Sequence, residues 1–224
     1  MMFKKKSLLR LIGFPLTLGI LVIGCSTDGE SGSMDKNLPD GTDVSQNRKS
    51  VGDSASDLLD DTNFTELFLE IFYVSGFKPS ETTLDNFEDF LSQRLNKPNG
   101  ISMELKEIPS PGQDVYSITD IRNLEDEIRT AYNLGGTIKA FGLFLDGEYS
   151  ENTENGSVLG VAYRNTSFVL FEETIKGFSG QPLAPSTTVL ETTVLDHEFG
   201  HLLGLVNAGT PVQSAHQDEP HGRH

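Results

Sequence analysis

The chain lacks the features that would mark it as a disulfide-rich, nucleic-acid-binding or repeat protein. It has one cysteine and no tryptophan among 224 residues, so an intrachain disulfide is excluded. The chain has 17 basic and 33 acidic residues, which gives a formal net charge of -16 at pH 7. Proteins that bind nucleic acid neutralise phosphates with clustered lysine and arginine, so we expect no nucleic-acid partner. No repeat period is visible, and a hydrophobic content of 36% suits one modest core.

A short apolar run follows basic residues at the start of the chain. Four lysines and arginines fall within the first ten residues, and residues 11–24 are too few to span a bilayer comfortably. This pattern predicts a secretory signal peptide over residues 1–24. The run ends in Gly24-Cys25 after aliphatic residues, which resembles the lipobox of bacterial lipoproteins. The resemblance implies that Cys25 is lipidated and holds the chain at the bacterial cell envelope, on the outer membrane or the cell surface. An uncleaved anchor or a buried thiol is the alternative.

The segment that follows Cys25 is polar. Residues 26–61 are rich in serine, aspartate, glycine and asparagine and contain few aliphatic residues. Such a composition buries too little apolar surface to offset the entropy of ordering the chain. We therefore predict a flexible tether over residues 25–61 and a folded domain over residues 62–224, with an ordered N-terminal arm as the alternative.

From residue 63 onward, hydrophobic residues recur with the periods of strands and helices. The predicted order is β-α-β-α-β-β-β-α, which describes an α/β or α+β domain with a mixed sheet. We predict an α+β fold with a five-stranded mixed sheet, two packing helices and a final helix that begins near Thr188. Serine and aspartate at Ser117 and Asp120 form a capping-box-like start for the second helix. The predicted strands cover residues 67–74, 101–108, 138–145, 158–163 and 167–172.

The final helix carries His197-Glu198-Phe199-Gly200-His201. Histidines four residues apart lie on one helix face, about 6 Å from each other, so both imidazoles can reach one Zn²⁺ ion. Glu198 is turned by roughly 100° from His197 and lies beside the metal, where it can take a proton from a zinc-bound water. The alternative is a helix surface that happens to carry two histidines and a glutamate.

The longer string from His197 to Leu205 resembles the metzincin zinc peptidases, whose pattern is H-E-x-x-H-x-x-G-x-x-H. The resemblance implies a twisted mixed five-stranded sheet, zinc as the cofactor and Glu198 as the general base. Gly204 matches the family glycine, which takes a left-handed conformation and turns the chain back toward the metal. In this family the edge strand before the helix binds a peptide or protein substrate as an added strand. By resemblance, Gly160, Val161 and Ala162 lie on that strand.

The third zinc ligand departs from the family pattern. Asn207 stands where metzincins have their third histidine, and an amide oxygen is a poor zinc ligand. We expect a later residue to complete the site, with His224 as the first candidate and His216 as the second. The remaining candidates in the same tail are Asp218, Glu219 and His221.

The family's Met-turn is the second departure. The last methionine is Met103, far upstream of the motif, and the sequence stops at His224. We therefore expect the lower subdomain of such a peptidase to be missing.

Two functions follow from these features. The first is a zinc-dependent endopeptidase tethered to the cell envelope, in which Glu198 acts as general base. The chain offers no competing nucleophile, because its one cysteine belongs to the predicted anchor and no G-x-S-x-G motif occurs. The alternative is a catalytically inactive, truncated zincin-fold lipoprotein that acts as a binding or surface protein.

Overall fold

The computed structural model of the protein describes residues 38–154 and 156–205. The described residues form seven strands, five α-helices and one 3-10 turn, Val44–Asn47. The strands are β1 Glu66–Val74, β2 Ile101–Ile108, β3 Val115–Tyr116, β4 Thr137–Leu145, β5 Glu148–Tyr149, β6 Gly160–Arg164 and β7 Ser167–Phe171. The helices are α1 Ala55–Leu59, α2 Glu81–Ser92, α3 Ile118–Ile128, α4 Glu172–Ser179 and α5 Thr187–Leu202.

Five strands form one mixed sheet in the order β2-β1-β4-β7-β6. Strands β2, β1, β4 and β7 are mutually parallel, and β6 pairs antiparallel to β7 at one edge. Strands β3 and β5 form a separate two-stranded parallel sheet. The predicted five-stranded mixed sheet is therefore confirmed, and so is the hairpin that joins β6 to β7.

Helices cover both faces of the main sheet. Because side chains alternate along a strand, Leu67, Leu69 and Ile71 of β1 face one cluster and Phe72 and Val74 face another. The first cluster contains buried residues of α1, α2, α4 and α5. The second cluster contains a buried residue of α3, which packs on that face of the sheet. A mostly parallel sheet with helices on both faces is an α/β arrangement, so the predicted α+β class is corrected.

Several helices differ from the prediction. Helix α5 is capped by Ser186, whose side chain accepts a hydrogen bond from the Val189 backbone, rather than by Thr188. Helix α4 occupies residues 172–179. The sequence analysis did not predict this helix, because its eight residues follow β7 directly and no turn residues separate the two elements. The capping box predicted at Ser117 and Asp120 is present at the start of α3.

Part of the predicted tether belongs to the folded domain. Asn47 is fully buried, and its amide donates to Asn133 Oδ1 and to the Lys139 carbonyl, both at 2.9 Å. Asn165, in the turn between β6 and β7, is also fully buried and donates to the Gln46 carbonyl at 2.8 Å. The tether boundary at residue 61 is therefore corrected, since residues 44–59 pack on the sheet domain through the buried Asn47 and through Leu58 of α1, which is fully buried in the core.

A lysine holds the end of this N-terminal segment. Lys97 is 7% exposed as a residue, and its ammonium group donates to the backbone carbonyls of Asp57, Asp60 and Phe64. These carbonyls lie at and just after the C-terminal end of α1, where a positive charge is favoured. The predicted signal peptide and Cys25 lie outside the described residues.

Replacing Asn47 with alanine should lower the free energy of unfolding by about 2 kcal/mol, because buried partners lose their hydrogen bonds. The measurement is urea denaturation at neutral pH. The matched control is Gln46→Ala, an exposed neighbour whose loss should change the value by less than about 0.5 kcal/mol. Equal stability of the two variants would contradict a stabilising role for the buried hydrogen bonds of Asn47.

Candidate metal centre

Helix α5, which carries the histidine motif, has well-defined ends. Ser186 caps its start, and Gly204 adopts a left-handed conformation with φ of 72° just beyond its last turn. The Leu205 N–H donates to the Gly200 carbonyl at 3.0 Å, and the Gly204 N–H donates to the His201 carbonyl at 3.0 Å. These two bonds form a Schellman motif, which ends the helix and reverses the chain. The left-handed conformation predicted at Gly204 is confirmed.

An aromatic cluster sets the rotation of α5 about its own axis. Phe199 is fully buried, and its ring packs edge-on against Phe87 of α2 and Phe168 of β7, with centroids 5.4 and 6.1 Å apart. Each histidine of the motif is two residues from Phe199, which is roughly 200° around the helix. His197 is accordingly exposed and His201 half-buried on the side of α5 away from the sheet. Phe87 and Phe168 were not predicted to act in this way, because neither is near the motif in sequence.

The two imidazoles converge on one point. Their Nε2 atoms are 3.1 Å apart, the ring centroids are 4.7 Å apart, and the ring planes meet at 88°. Two nitrogen ligands on a tetrahedral zinc ion, at Zn–N distances near 2.1 Å, are separated by about 3.3 Å. The spacing therefore fits two ligands of one zinc ion, and it equally fits an N–H···N hydrogen bond between neutral rings. The shared helix face is as predicted, while zinc binding stays a prediction.

Glu198 points toward the sheet rather than toward solvent. It is 6% exposed, and burial raises its pKa to about 7, while a hydrogen bond with the Ala162 backbone acts in the opposite direction. Loss of water around a carboxylate disfavours its charged form, whereas a nearby bound cation restores it. The carboxyl group thus lies between α5 and the edge strand β6.

Strand β6 approaches α5 closely at Gly160. A Cβ atom built on Gly160 would lie 2.7 Å from Glu198 Cγ, 2.9 Å from Glu198 Oε1 and 2.8 Å from Val194 Cγ1. Any side chain at this position would displace the glutamate, so a glycine is required for the observed contact. The sequence analysis placed Gly160 on the edge strand but did not find its contact with Glu198, which depends on the tertiary structure.

Strand β6 is the edge of the main sheet, as predicted. Gly160, Val161 and Ala162 all lie in it and are half-buried. Among the described residues only β7 pairs with β6, so the outer side of its backbone can accept an added strand. The register with β7 is irregular between Ala162 and Arg164. Substrate binding by this strand stays a prediction.

The other predicted site residues lie outside the described residues. These are the expected third ligands and their alternatives, His216, Asp218, Glu219, His221 and His224, together with Asn207. Within residues 38–154 and 156–205, no group of three or more histidine, cysteine, aspartate or glutamate side chains is arranged to hold a metal ion.

Comparisons with known proteins add no further assignment. No family model, curated protein or solved structure matches the chain. Across the part of the chain that the structure describes, no helix is long and apolar enough to cross a bilayer. The functional assignment therefore depends on the motif and on the arrangement of α5 and β6.

Replacing Gly160 with alanine should lower the free energy of unfolding by about 1–3 kcal/mol, because the new methyl group overlaps Glu198 and Val194. Denaturant unfolding measures this change. The matched control is Gly177→Ala in α4, where a Cβ meets nothing within 4 Å and alanine should stabilise the helix by about 0.5–1 kcal/mol. A gain in stability at both positions would contradict the close contact.

Proposed function

We propose that the protein is a zinc-dependent endopeptidase with a metzincin-like fold, held at the bacterial cell envelope by a lipid on Cys25. The observation that carries the proposal is the convergence of His197 and His201 on the exposed side of α5, with their Nε2 atoms 3.1 Å apart. Glu198, the residue that follows His197, lies against the edge strand. One helix thus presents two metal ligands and a candidate general base together.

The sheet supports the same proposal. The edge strand β6 runs antiparallel to its neighbour and lies beside the helix that carries the motif. This arrangement resembles the upper subdomain of metzincins. Because the resemblance covers the order of elements and one motif, it supports the proposed fold more strongly than it supports any substrate.

In this proposal, the residues of the chain would have the following roles. His197 and His201 would hold the ion through Nε2, and His224 or His216 would supply the third nitrogen. A zinc ion bound there polarises a peptide carbonyl and lowers the pKa of a bound water. Glu198 would accept the proton from that water and later deliver it to the leaving amine.

Substrate binding would use the backbone of β6. An extended peptide can add to the free side of an edge strand by main-chain hydrogen bonds, which places its backbone along Gly160, Val161 and Ala162. Since Gly160 contacts Glu198, a peptide bound on this strand would pass next to the general base. Main-chain recognition of this kind tolerates many side chains, which suits a peptidase of broad specificity.

One observation favours the alternative function. The described residues supply two candidate metal ligands, His197 and His201, and no third one, and Asn207 stands where the family has its third histidine. A zincin-fold lipoprotein without catalysis would retain β6 as a docking edge and bind its partner there. Zinc binding with a vacant coordination position separates the enzyme from this alternative, because catalysis requires an open position.

The direct test measures zinc and peptide cleavage in the purified protein carrying Cys25→Ser, which prevents lipidation. Glu198→Gln should keep about one zinc per chain and lose at least about 100-fold of its cleavage of a casein-type substrate, since general-base catalysis contributes that much or more. His197→Ala should lose the zinc itself. Thr193→Ala, an exposed residue of the same helix, is the control and should change neither property.

The same zinc analysis identifies the third ligand. His224→Ala should release zinc, while His216→Ala should retain it; the reverse result would assign His216. Zinc that binds with no cleavage sensitive to Glu198→Gln would support the alternative function. A protein that binds no zinc would overturn the metal site.

Lipidation of Cys25 has its own test. Cells fed a radiolabelled fatty acid should transfer the label to the wild-type protein, which should fractionate with membranes, because a lipid chain drives membrane binding. The Cys25→Ser variant should carry no label. Equal labelling of both proteins would exclude Cys25 as the lipidation site.

A further inference from the structure

A second group of carboxyl side chains lies buried between α4 and α5, away from the histidine motif. Glu172 is the first residue of α4 and is fully buried directly after β7. Within the described residues, neither of its carboxyl oxygens receives a hydrogen bond. The nearest cation is the Lys176 ammonium, 3.6 Å from Oε1, and it donates its own hydrogen bond to the Gly76 carbonyl.

The partner of Glu172 is Glu191 of α5. Glu191 is 2% exposed, and its carboxyl group lies within hydrogen-bonding reach of Glu172. The Thr83 hydroxyl donates to Glu191 Oε2 at 2.5 Å, and the Ser80 backbone N–H points to the same oxygen at 3.4 Å. Donors from α2 therefore stabilise negative charge on Glu191, whereas Glu172 has no such donors.

Two carboxylates this close cannot both be ionised in a buried site, because their mutual repulsion adds to the cost of removing water from each. The lowest-energy state places one proton between them. Glu172 then acts as a neutral acid that donates to Glu191, which remains charged.

We propose that Glu172 and Glu191 share one proton and form a pH-sensitive link that holds α4 against α5, the helix that carries His197 and Glu198. The Glu172–Glu191 pair joins three helices, since α2 supplies the donors to Glu191. Glu191 is seven residues, about two helical turns, before Glu198, so both glutamates lie on the buried side of α5. Loss of the shared proton leaves two negative charges in contact on the buried side of α5 and weakens the packing of α5 on the sheet.

The charges around the pair agree with this assignment. Burial, together with the neighbouring Glu191, raises the pKa of Glu172 to about 9, while Lys176 acts in the opposite direction. From the start of α2 the pair is faced by two uncharged donors, the Thr83 hydroxyl and the backbone N–H of the capping residue Ser80. The strands β4 and β7 end beside α4 in buried apolar residues, Leu145 and Phe171.

The shared proton makes stability fall with rising pH. A carboxyl group whose folded pKa is raised keeps its proton in the native state and releases it in the unfolded state between about pH 4.5 and pH 9, so alkaline pH favours unfolding. From pH 7.5 to 9.5, we expect the melting temperature of the wild-type protein to fall by about 5 °C more than that of Glu172→Gln. The amide of Glu172→Gln still donates to Glu191 but does not titrate.

Two controls isolate the pair. Glu173→Gln changes the adjacent, exposed glutamate of α4 and should follow the wild-type pH dependence. Glu191→Gln removes the neighbouring carboxyl and should make the pH dependence shallower without abolishing it, because burial still raises the pKa of Glu172. This second variant keeps the test available if Glu172→Gln fails to fold. All variants are made in the full chain.

Infrared spectroscopy gives a readout that a merely structural role would not produce. At pH 8, the wild-type protein should show the carbonyl band of a protonated, buried carboxylic acid that is absent from Glu172→Gln, and the band should disappear above about pH 10. Absence of this band, or parallel melting curves for the wild-type protein and both glutamine variants, would overturn the proposal. The experiment requires no zinc and no activity, so it is independent of the proposed function.

Discussion

The packing of Phe199 between Phe87 and Phe168 determines how the rest of the site is arranged. An α-helix can present any of its sides to a sheet, and edge-on contacts of about 0.5–1.5 kcal/mol each favour one orientation. With Phe199 inward, the histidines lie on the outer side of α5 and Glu198 lies between helix and strand. The motif thus acquires its geometry from residues that lie far from it in sequence.

The contact between Gly160 and Glu198 is the second constraint on the site. Strand β6 approaches α5 so closely that the general-base candidate loses most of its contact with water, which raises its pKa to about 7. A glutamate on an exposed helix would not experience this burial. The missing side chain at Gly160 therefore permits the Glu198 carboxyl group to pack against the edge strand, while the two imidazoles lie on the outer side of α5.

The N-terminal segment shows where composition misleads. Residues 44–59 contain few aliphatic side chains, of which Leu58 is fully buried in the core. The segment is also held by hydrogen bonds from the buried amides of Asn47 and Asn165 and by the Lys97 ammonium. Such polar contacts form between positions up to 119 residues apart, and no local pattern in the sequence predicts them.

The sequence alone determined the features that depend on residues close together along the chain. Strand periodicity located the five strands of the main sheet, the capping box at Ser117 started a helix, and the four-residue spacing put His197 and His201 on one face. Only the tertiary structure decided the parallel strand order, the rotation of α5, the approach of β6 and the Glu172–Glu191 pair. Local patterns follow from backbone geometry within one or two turns, whereas these features depend on which distant surfaces pack together.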